Sequence, residues 1–172
     1  MTNEQLAARV KEAAYLEGDF VLRSGRRSRF YLDKYLFETQ PDILAELGQR
    51  MAGHCPDAEV IAGPELGAVA LAAATSMAAG KPFAIVRKAT KGYGTDKLVE
   101  GTPVEGRKVV LVEDVGTTAG AALAAAETLK AAGADLLRLV FAIDRLEGAR
   151  ENVEAAGFEF RAILTAADMG IG

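Results

Sequence analysis

The amino-acid sequence predicts an α/β protein built on a parallel sheet that is covered by helices on both faces. From residue 41 onward, short runs of Val, Ile and Leu alternate with longer segments whose apolar residues recur at helical spacing. The short runs are nearly continuous in apolar residues, which is typical of strands buried on both sides in a parallel sheet. Ligands bind at the carboxyl ends of such strands, so a site is expected in the loops that follow them.

The first forty residues follow a different pattern. Residues 3–16 have apolar side chains at helical spacing, with Asn3 as the expected N-cap. The apolar segment Phe20–Leu22 leads into a basic turn over 23–29, and Phe30–Asp33 is typical of a strand. We expect this part to form a small hood, from about residue 1 to about residue 40, on a core that spans about residues 41–172 of a single domain.

The remaining elements are predicted in chain order. A helix begins at Pro41, a residue favoured in a first helical turn, and Gly133 fits the position just after a helix. Helices are predicted over 41–53, 66–79, 121–132 and 148–156. Strands are predicted over 59–62, 83–86, 108–113, 136–143 and 158–164. The loops at the carboxyl ends of the strands are 62–67, 87–101, 113–121 and 143–148.

Composition excludes several classes of protein. The 172 residues are 50% hydrophobic, enough to fill one core, and the net charge of −4 argues against a nucleic-acid binder. Cys55 is the only cysteine and His54 the only histidine, which excludes an intrachain disulfide and a four-ligand Cys/His metal site. We interpret both as structural or surface residues. The N-terminal segment is polar, and no apolar run approaches about 18 residues, so we expect neither a signal peptide nor a membrane span, and a cytoplasmic protein.

The segment Glu113–Gly120, EDVGTTAG, is the most informative in the chain. An apolar strand ends in two adjacent acids, and a Gly/Thr turn then leads into a helix. Backbone amides of residues 116–121 and the hydroxyls of Thr117 and Thr118 can surround a phosphate at a helix N-terminus. The two carboxylates can bind the vicinal hydroxyls of a sugar or help to hold Mg²⁺ through water. A phosphorylated ribose therefore fits this segment, whereas a Walker A loop is excluded because no Gly-Lys-Ser/Thr follows.

This segment resembles the phosphoribosyl pyrophosphate (PRPP) signature of the type I phosphoribosyltransferases, and the wider pattern resembles the branch that acts on orotate. Three further segments carry the likeness, which runs in order from about residue 15 to the C-terminus. They are the hood segment FVLRSGRRSRFYLD at 20–33, the loop RKATKGYGT at 87–95 and the motif IDRLE at 143–147. The resemblance implies the type I fold, transfer of ribose 5-phosphate from PRPP to orotate, Mg²⁺ as cofactor and a homodimer with shared active sites.

The same resemblance implies a role for each candidate residue. Lys91, given across the dimer interface, and Asp114 are the catalytic candidates. The PRPP-binding candidates are Arg87, Lys88, Lys91, Tyr93, Glu113, Asp114, Thr117, Thr118, Ala119, Gly120 and Ala121. The orotate-binding candidates are Arg23, Phe30, Thr117 and Arg145. The pyrophosphate loop is Gly63, Pro64, Glu65, Leu66 and Gly67. No protein side chain is expected to bind the metal directly, because Mg²⁺ is held mainly by PRPP and water.

Charge is distributed as a pyrophosphate-bearing substrate requires. Segment 87–97 has a net charge of +3 and turn 23–29 a net charge of +4, which leaves −11 for the rest of the chain. Cations at such positions bind the leaving group and stabilise its growing charge. Gly92, Gly94 and Gly101 favour a flexible lid.

Some patterns also have a simpler interpretation. Segment 62–67 alone is only a strand–helix turn, and a lone arginine such as Arg145 is often a surface ion pair. Tyr93 stands where the family often has histidine, and Arg23 where it often has lysine. Two alternatives stay open: a phosphoribosyltransferase for another nucleobase, and a PRPP-sensing regulator without catalysis.

Overall fold

The computed structural model describes residues 1–21, 25, 27–89 and 97–171. Its N-terminal part consists of a helix, a hairpin and a short second helix. The helix α1 (Asn3–Ala14) precedes the strands β1 (Tyr15–Val21) and β2 (Arg27–Leu32), which pair antiparallel. The helix α2 (Lys34–Glu38) follows directly, with the Asp33 side chain accepting from the backbone N–H of Tyr35. Sequence analysis did not predict α2.

Three boundaries in this part were wrong. Thr2, not Asn3, caps α1, because its hydroxyl accepts from the Gln5 N–H while the Gln5 side chain accepts from the Thr2 N–H. The helix ends at Ala14 rather than 16, since Tyr15 pairs with Leu32 in the hairpin. Strand β2 begins at Arg27, so part of the expected basic turn lies in the strand.

The rest of the chain alternates as expected. Its elements are α3 (Pro41–Ala52), β3 (Val60–Pro64), α4 (Ala68–Ala79), β4 (Phe83–Val86), β5 (Val99–Gly101), β6 (Lys108–Gly116), α5 (Gly120–Ala131), β7 (Asp135–Asp144), α6 (Ala149–Ala155), β8 (Glu159–Thr165) and a 3-10 turn (Ala167–Met169). Within the described residues the main sheet has the order β5-β4-β3-β6-β7-β8. All neighbours pair in parallel except β5, which runs antiparallel to β4.

The prediction of a parallel sheet covered on both faces is confirmed. Val110 and Val112 of β6 face one buried cluster, which includes residues of α1, α3 and α4. Val109 and Leu111 face the other, which includes residues of α5 and α6. Burial on both faces explains why β6 is continuously apolar up to Glu113. Gly133 has a φ of +86° after α5, as its position predicted.

The short strand β5 was interpreted as part of a polar loop. It has three residues, only partly buried, and its pairing with β4 rather than its own apolar pattern defines it. No helix in the described part of the chain is long and apolar enough to cross a membrane.

Candidate active site

Loops that follow four neighbouring strands, β4, β3, β6 and β7, lie at the carboxyl edge of the main sheet. The loop after β3 reaches the loop after β4, because the Lys88 N–H donates to Glu65 Oε1 at 2.7 Å. The loop after β7 reaches the end of β6, because the Arg145 N–H donates to the Gly116 carbonyl at 2.9 Å. The described parts of the four loops selected from the sequence therefore lie along one edge of the sheet, as parallel strand order requires.

The acid pair Glu113 and Asp114 lies at the end of β6 and is buried. Glu113 Oε1 accepts from the Asp114 N–H at 3.0 Å, and Asp114 Oδ1 accepts from the Val115 N–H. Burial raises the pKa of Glu113, and the neighbouring charge of Asp114 raises it further. Two adjacent carboxyl groups in this setting are oriented hydrogen-bond acceptors for the hydroxyls of a sugar.

Two residues of α2, Lys34 and Glu38, join this acid pair and were missed by sequence analysis. The Lys34 ammonium Nζ lies 2.6 Å from Asp114 Oδ2. Glu38 is buried, and its Oε1 has no hydrogen-bond partner among the described residues. Burial raises the pKa of Glu38 to about 8, with the charge of Asp114 adding to the effect, so the carboxyl group is mainly neutral at pH 7. The sequence feature that could have indicated them is a Lys and a Glu four positions apart, with apolar residues between them and a helix-capping Asp directly before the Lys.

The turn between β6 and α5 forms an open cradle. Thr117, Thr118, Gly120 and Ala121 are exposed, whereas Ala119 is buried with a φ of +62°. Within the described ranges no side chain caps the start of α5, so its first N–H groups face outward without such a partner. An uncapped helix N-terminus beside two threonine hydroxyls can bind an anion such as phosphate. The predicted residues 117–121 therefore lie together.

The segment Gly63–Gly67 leads from the end of β3 into α4, and Gly67 contacts Asp114 of the acid pair. A Cβ on Gly63 would lie 2.7 Å from the Ala68 carbonyl oxygen, so the close packing of β3 against the start of α4 requires glycine. A Cβ on Gly67 would lie 2.0 Å from Asp114 Oδ2 and 2.7 Å from Lys34 Nζ. The Glu65–Leu66 peptide bond is cis, and the Leu66 side chain is exposed while Pro64 is buried.

The basic candidates are only partly described. Lys88 is exposed beside Glu65, and its charge acts on Glu113. The Arg87 guanidinium Nε donates to the Ala89 carbonyl at 3.2 Å, a local contact rather than one to the Gly63–Gly67 segment. Arg23, Lys91 and Tyr93 lie outside the described residues.

On the hood side, Phe30 and Arg145 come together from opposite ends of the sequence. The Arg145 guanidinium lies over the Phe30 ring, 5.3 Å from its centroid, and the Tyr15 ring stacks on Phe30 at 5.6 Å. Arg145 Nη2 also pairs with Glu147 Oε1 at 3.0 Å. A planar guanidinium held on an aromatic ring suits a flat ligand that carries a carboxylate.

The lone histidine and cysteine lie away from this edge. The His54 carbonyl oxygen accepts a hydrogen bond from the guanidinium of Arg138, near the start of β7, and burial raises the pKa of Cys55 to about 11. No group of three or more His, Cys, Asp or Glu side chains that could hold a metal ion occurs among residues 1–21, 25, 27–89 and 97–171.

Comparisons with known proteins agree on one family. The model of the phosphoribosyl transferase domain matches residues 39–162. The orotate phosphoribosyltransferase of Methanocella arvoryzae is 48% identical over 153 residues, which is 88% of this chain and 87% of that protein. The Mycobacterium tuberculosis orotate phosphoribosyltransferase in complex with Fe(III) dicitrate is 33% identical, with a TM-score of 0.89 over 98% of this chain and 99% of that chain. The same enzyme in complex with PRPP is 31% identical, with a TM-score of 0.84 over 98% and 99% of the two chains.

Proposed function

The chain belongs to the phosphoribosyltransferase family and is, within it, an orotate phosphoribosyltransferase; from this premise we propose how its residues perform the reaction. Ribose 5-phosphate passes from PRPP to orotate, giving orotidine 5′-monophosphate and pyrophosphate, a step of pyrimidine nucleotide biosynthesis. One observation carries the assignment of roles: an uncapped helix N-terminus, two buried carboxyl groups and an arginine stacked on a phenylalanine share one edge of the sheet.

PRPP occupies the centre of this edge. The 5′-phosphate lies in the cradle of residues 117–121, where backbone N–H groups and the hydroxyls of Thr117 and Thr118 donate to it. Glu113 and Asp114 accept hydrogen bonds from the ribose hydroxyls and so orient the ring. The pyrophosphate lies along the Gly63–Gly67 segment, which contacts Asp114 at Gly67.

Orotate lies between the hood and the loop after β7. The Arg145 guanidinium binds the carboxylate of orotate, which takes the place that Glu147 holds in this structure. Phe30 keeps the guanidinium in its plane and offers an apolar edge to the base. Arg23, which lies outside the described residues, is proposed to add positive charge for orotate. Thr117 lies next to Gly116, whose carbonyl accepts from the Arg145 N–H.

The chemical step needs no covalent enzyme intermediate. A ring nitrogen of orotate forms the new bond to the anomeric carbon and gives up its proton to solvent, while the carbon–oxygen bond to pyrophosphate breaks and its electron pair leaves with the oxygen. Positive charge develops on the ribose and negative charge on the pyrophosphate, so the protein acts by positioning and by electrostatic stabilisation. Arg87, Lys88 and Lys91 supply the stabilising cations, and Tyr93 donates a hydrogen bond to the phosphate.

We also propose Mg²⁺, a homodimer and a cytoplasmic location. Mg²⁺ would be held by PRPP oxygens and water, and it would neutralise charge on the leaving group. The buried acids Glu113 and Asp114 fit hydrogen-bond acceptance better than direct ligation, since Asp114 already holds Lys34. In the dimer, Lys91 reaches the active site of the partner subunit.

The test is the loss of orotate absorbance with purified protein, PRPP and Mg²⁺, beside adenine, hypoxanthine and uracil as alternative bases. We expect turnover of orotate alone, and none when Mg²⁺ is removed by a chelator. Turnover of another base would overturn the roles of Arg145 and Phe30. PRPP binding without turnover of any base would favour a regulator. Sedimentation velocity tests the dimer, which a monomeric active protein would contradict.

A further inference from the structure

Lys34 is a cation at the active-site edge that has no part in the roles given above. Its Nζ lies 2.6 Å from Asp114 Oδ2, and the Lys34 side chain is 34% exposed while that of Asp114 is 5% exposed. The Asp33 cap starts α2 at Lys34 and so places this side chain beside β6. The Lys34 ammonium is therefore partly exposed at the edge of the site, and the Asp114 carboxylate that it contacts is buried.

The same ammonium marks the junction of two substrate regions. A Cβ on Gly67 would come within 2.7 Å of Lys34 Nζ and 2.0 Å of Asp114 Oδ2, so the backbone at the end of the pyrophosphate segment contacts both groups. Asp114 belongs to the ribose side and Gly67 to the pyrophosphate side. The bond that breaks in the reaction joins these two parts of PRPP, so a fixed positive charge here lies close to it.

Charge around Lys34 is predominantly negative. The titratable groups that interact electrostatically in this cluster come from three elements. They are Asp33 and Tyr35 next to Lys34 in the chain, Glu38 four positions later in α2, Glu113 and Asp114 of β6, and Lys88 from the loop after β4. Burial acts to lower the pKa of Lys34, but the hydrogen bond and charge of Asp114 outweigh it and raise that pKa. Lys34 stays charged and opposes the raised pKa of Glu38 and Glu113.

Asp114 can hold Lys34 and a substrate together. Its Oδ1 accepts from the Val115 N–H and its Oδ2 from Lys34, and each carboxylate oxygen has a second lone pair for a ribose hydroxyl. The two contacts fix the plane of the carboxylate before substrate arrives, which lowers the cost of ordering it on binding.

We infer that Lys34 is a positioning residue for PRPP, which holds the Asp114 carboxylate in the orientation that ribose needs and places positive charge beside the pyrophosphate. The inference rests on the function proposed above. It concerns the sugar-pyrophosphate substrate and not the base, since Arg145 and Phe30 lie with the hood hairpin and the loop after β7.

The test compares Lys34→Met, which keeps the length and removes the charge, with Lys34→Arg, which keeps the charge. Lys130→Met is the matched control, because Lys130 lies on the last turn of α5 and pairs only with the exposed Glu127 among the described ion pairs. Steady-state constants for PRPP and orotate, pH profiles and melting curves are measured for each. If Lys34→Met does not fold, Lys34→Gln takes its place, since its amide can still donate to Asp114.

We expect Lys34→Met to raise KM for PRPP by about tenfold or more, the effect of losing a hydrogen bond to a charged group, with KM for orotate within about threefold. The acid limb of kcat/KM for PRPP shifts to higher pH by about half a unit or more, because Glu113 loses the cation that opposes its raised pKa. Lys34→Arg recovers part of the PRPP affinity, and Lys130→Met equals wild type.

An unchanged KM for PRPP in a folded Lys34→Met protein, or equal rises for both substrates with an unmoved acid limb, would overturn the inference. The wild-type assay reports on the proposed function separately: absence of orotate turnover by the unaltered protein would count against that function, whatever the variants do.

Discussion

Replacement of Gly67 by alanine tests the contact between the pyrophosphate segment and the ribose-side carboxylate. Gly67 has a φ of −57° and a ψ of −50°, so alanine suits the backbone and any effect comes from the added methyl group. That Cβ would lie 2.0 Å from Asp114 Oδ2, whereas ordinary contact begins at 3.4 Å. To restore ordinary contact the carboxylate oxygen must move by about 1.4 Å, away from a methyl group that also comes within 2.7 Å of Lys34 Nζ. Burial of Asp114 leaves little free space for this movement.

The expected magnitude follows from the bond that this movement breaks. A shift of that size takes Oδ2 out of hydrogen-bond range of Lys34 Nζ, now at 2.6 Å. Loss of a hydrogen bond between charged groups costs roughly 1.5–3 kcal/mol, so kcat/KM for PRPP should fall roughly ten- to hundredfold. The same loss of roughly 1.5–3 kcal/mol should lower the melting temperature by roughly 3–12 °C, since about 1 kcal/mol moves it by roughly 2–4 °C in a chain of this size.

Initial rates at varied PRPP, with orotate saturating, measure this effect. The matched control is Gly53→Ala: Gly53 also has a right-handed helical backbone, and its added Cβ would meet only the Arg50 carbonyl oxygen, at 3.2 Å. We expect the control to keep wild-type kinetics. A folded Gly67→Ala protein with unchanged kcat/KM for PRPP would refute the placement of PRPP between Gly67 and Asp114.

Three further changes have defined outcomes. The free energy of unfolding of the wild type should fall as pH rises from 4.5, the unfolded pKa of Glu38, to about 8, because the folded protein keeps a proton that the unfolded chain releases. Glu38→Gln lacks this proton, so its stability relative to wild type should rise over this window by at most about 1.4 kcal/mol per pH unit, measured by urea titration. A difference that stays constant with pH would contradict the raised pKa. Arg145→Lys should raise KM for orotate roughly tenfold and leave that for PRPP unchanged, because lysine can neither bind a carboxylate in bidentate fashion nor stack on Phe30; equal effects on both substrates would argue against the assignment. Lys91→Ala should greatly reduce turnover while PRPP binding, measured by calorimetry, survives in part; unchanged turnover would remove Lys91 from the mechanism.

Local features of the chain could be predicted because their causes are local. Strand β4 has the predicted bounds Phe83–Val86, and Gly133 has the positive φ that a residue after a helix end adopts. The segment Glu113–Gly120 combines a strand end, a turn and a helix start within eight residues, so its shape follows from neighbouring residue types. The candidate phosphate cradle and the acid pair were found for the same reason.

Features that depend on weak local signals were missed or misplaced. The helix α2 has five residues, too short for a helical repeat, and is held by the Asp33 cap and by burial of Phe37. Strand β5 has three residues and exists through pairing with β4. Thr2 rather than Asn3 caps α1, because two reciprocal hydrogen bonds between Thr2 and Gln5 outweigh the general preference for Asn at an N-cap.

The amino-acid sequence by itself determined the α/β alternation, the strand ends that carry the acids and the glycine-threonine turn, since hydrophobic periodicity and backbone preference act over a few residues. Only the tertiary structure decided which cation meets Asp114, because Lys34 lies 80 positions earlier in the chain. It likewise decided that Phe30 lies under Arg145. Such pairs depend on strand order and on where the hood packs against the sheet, which no local pattern of residues encodes.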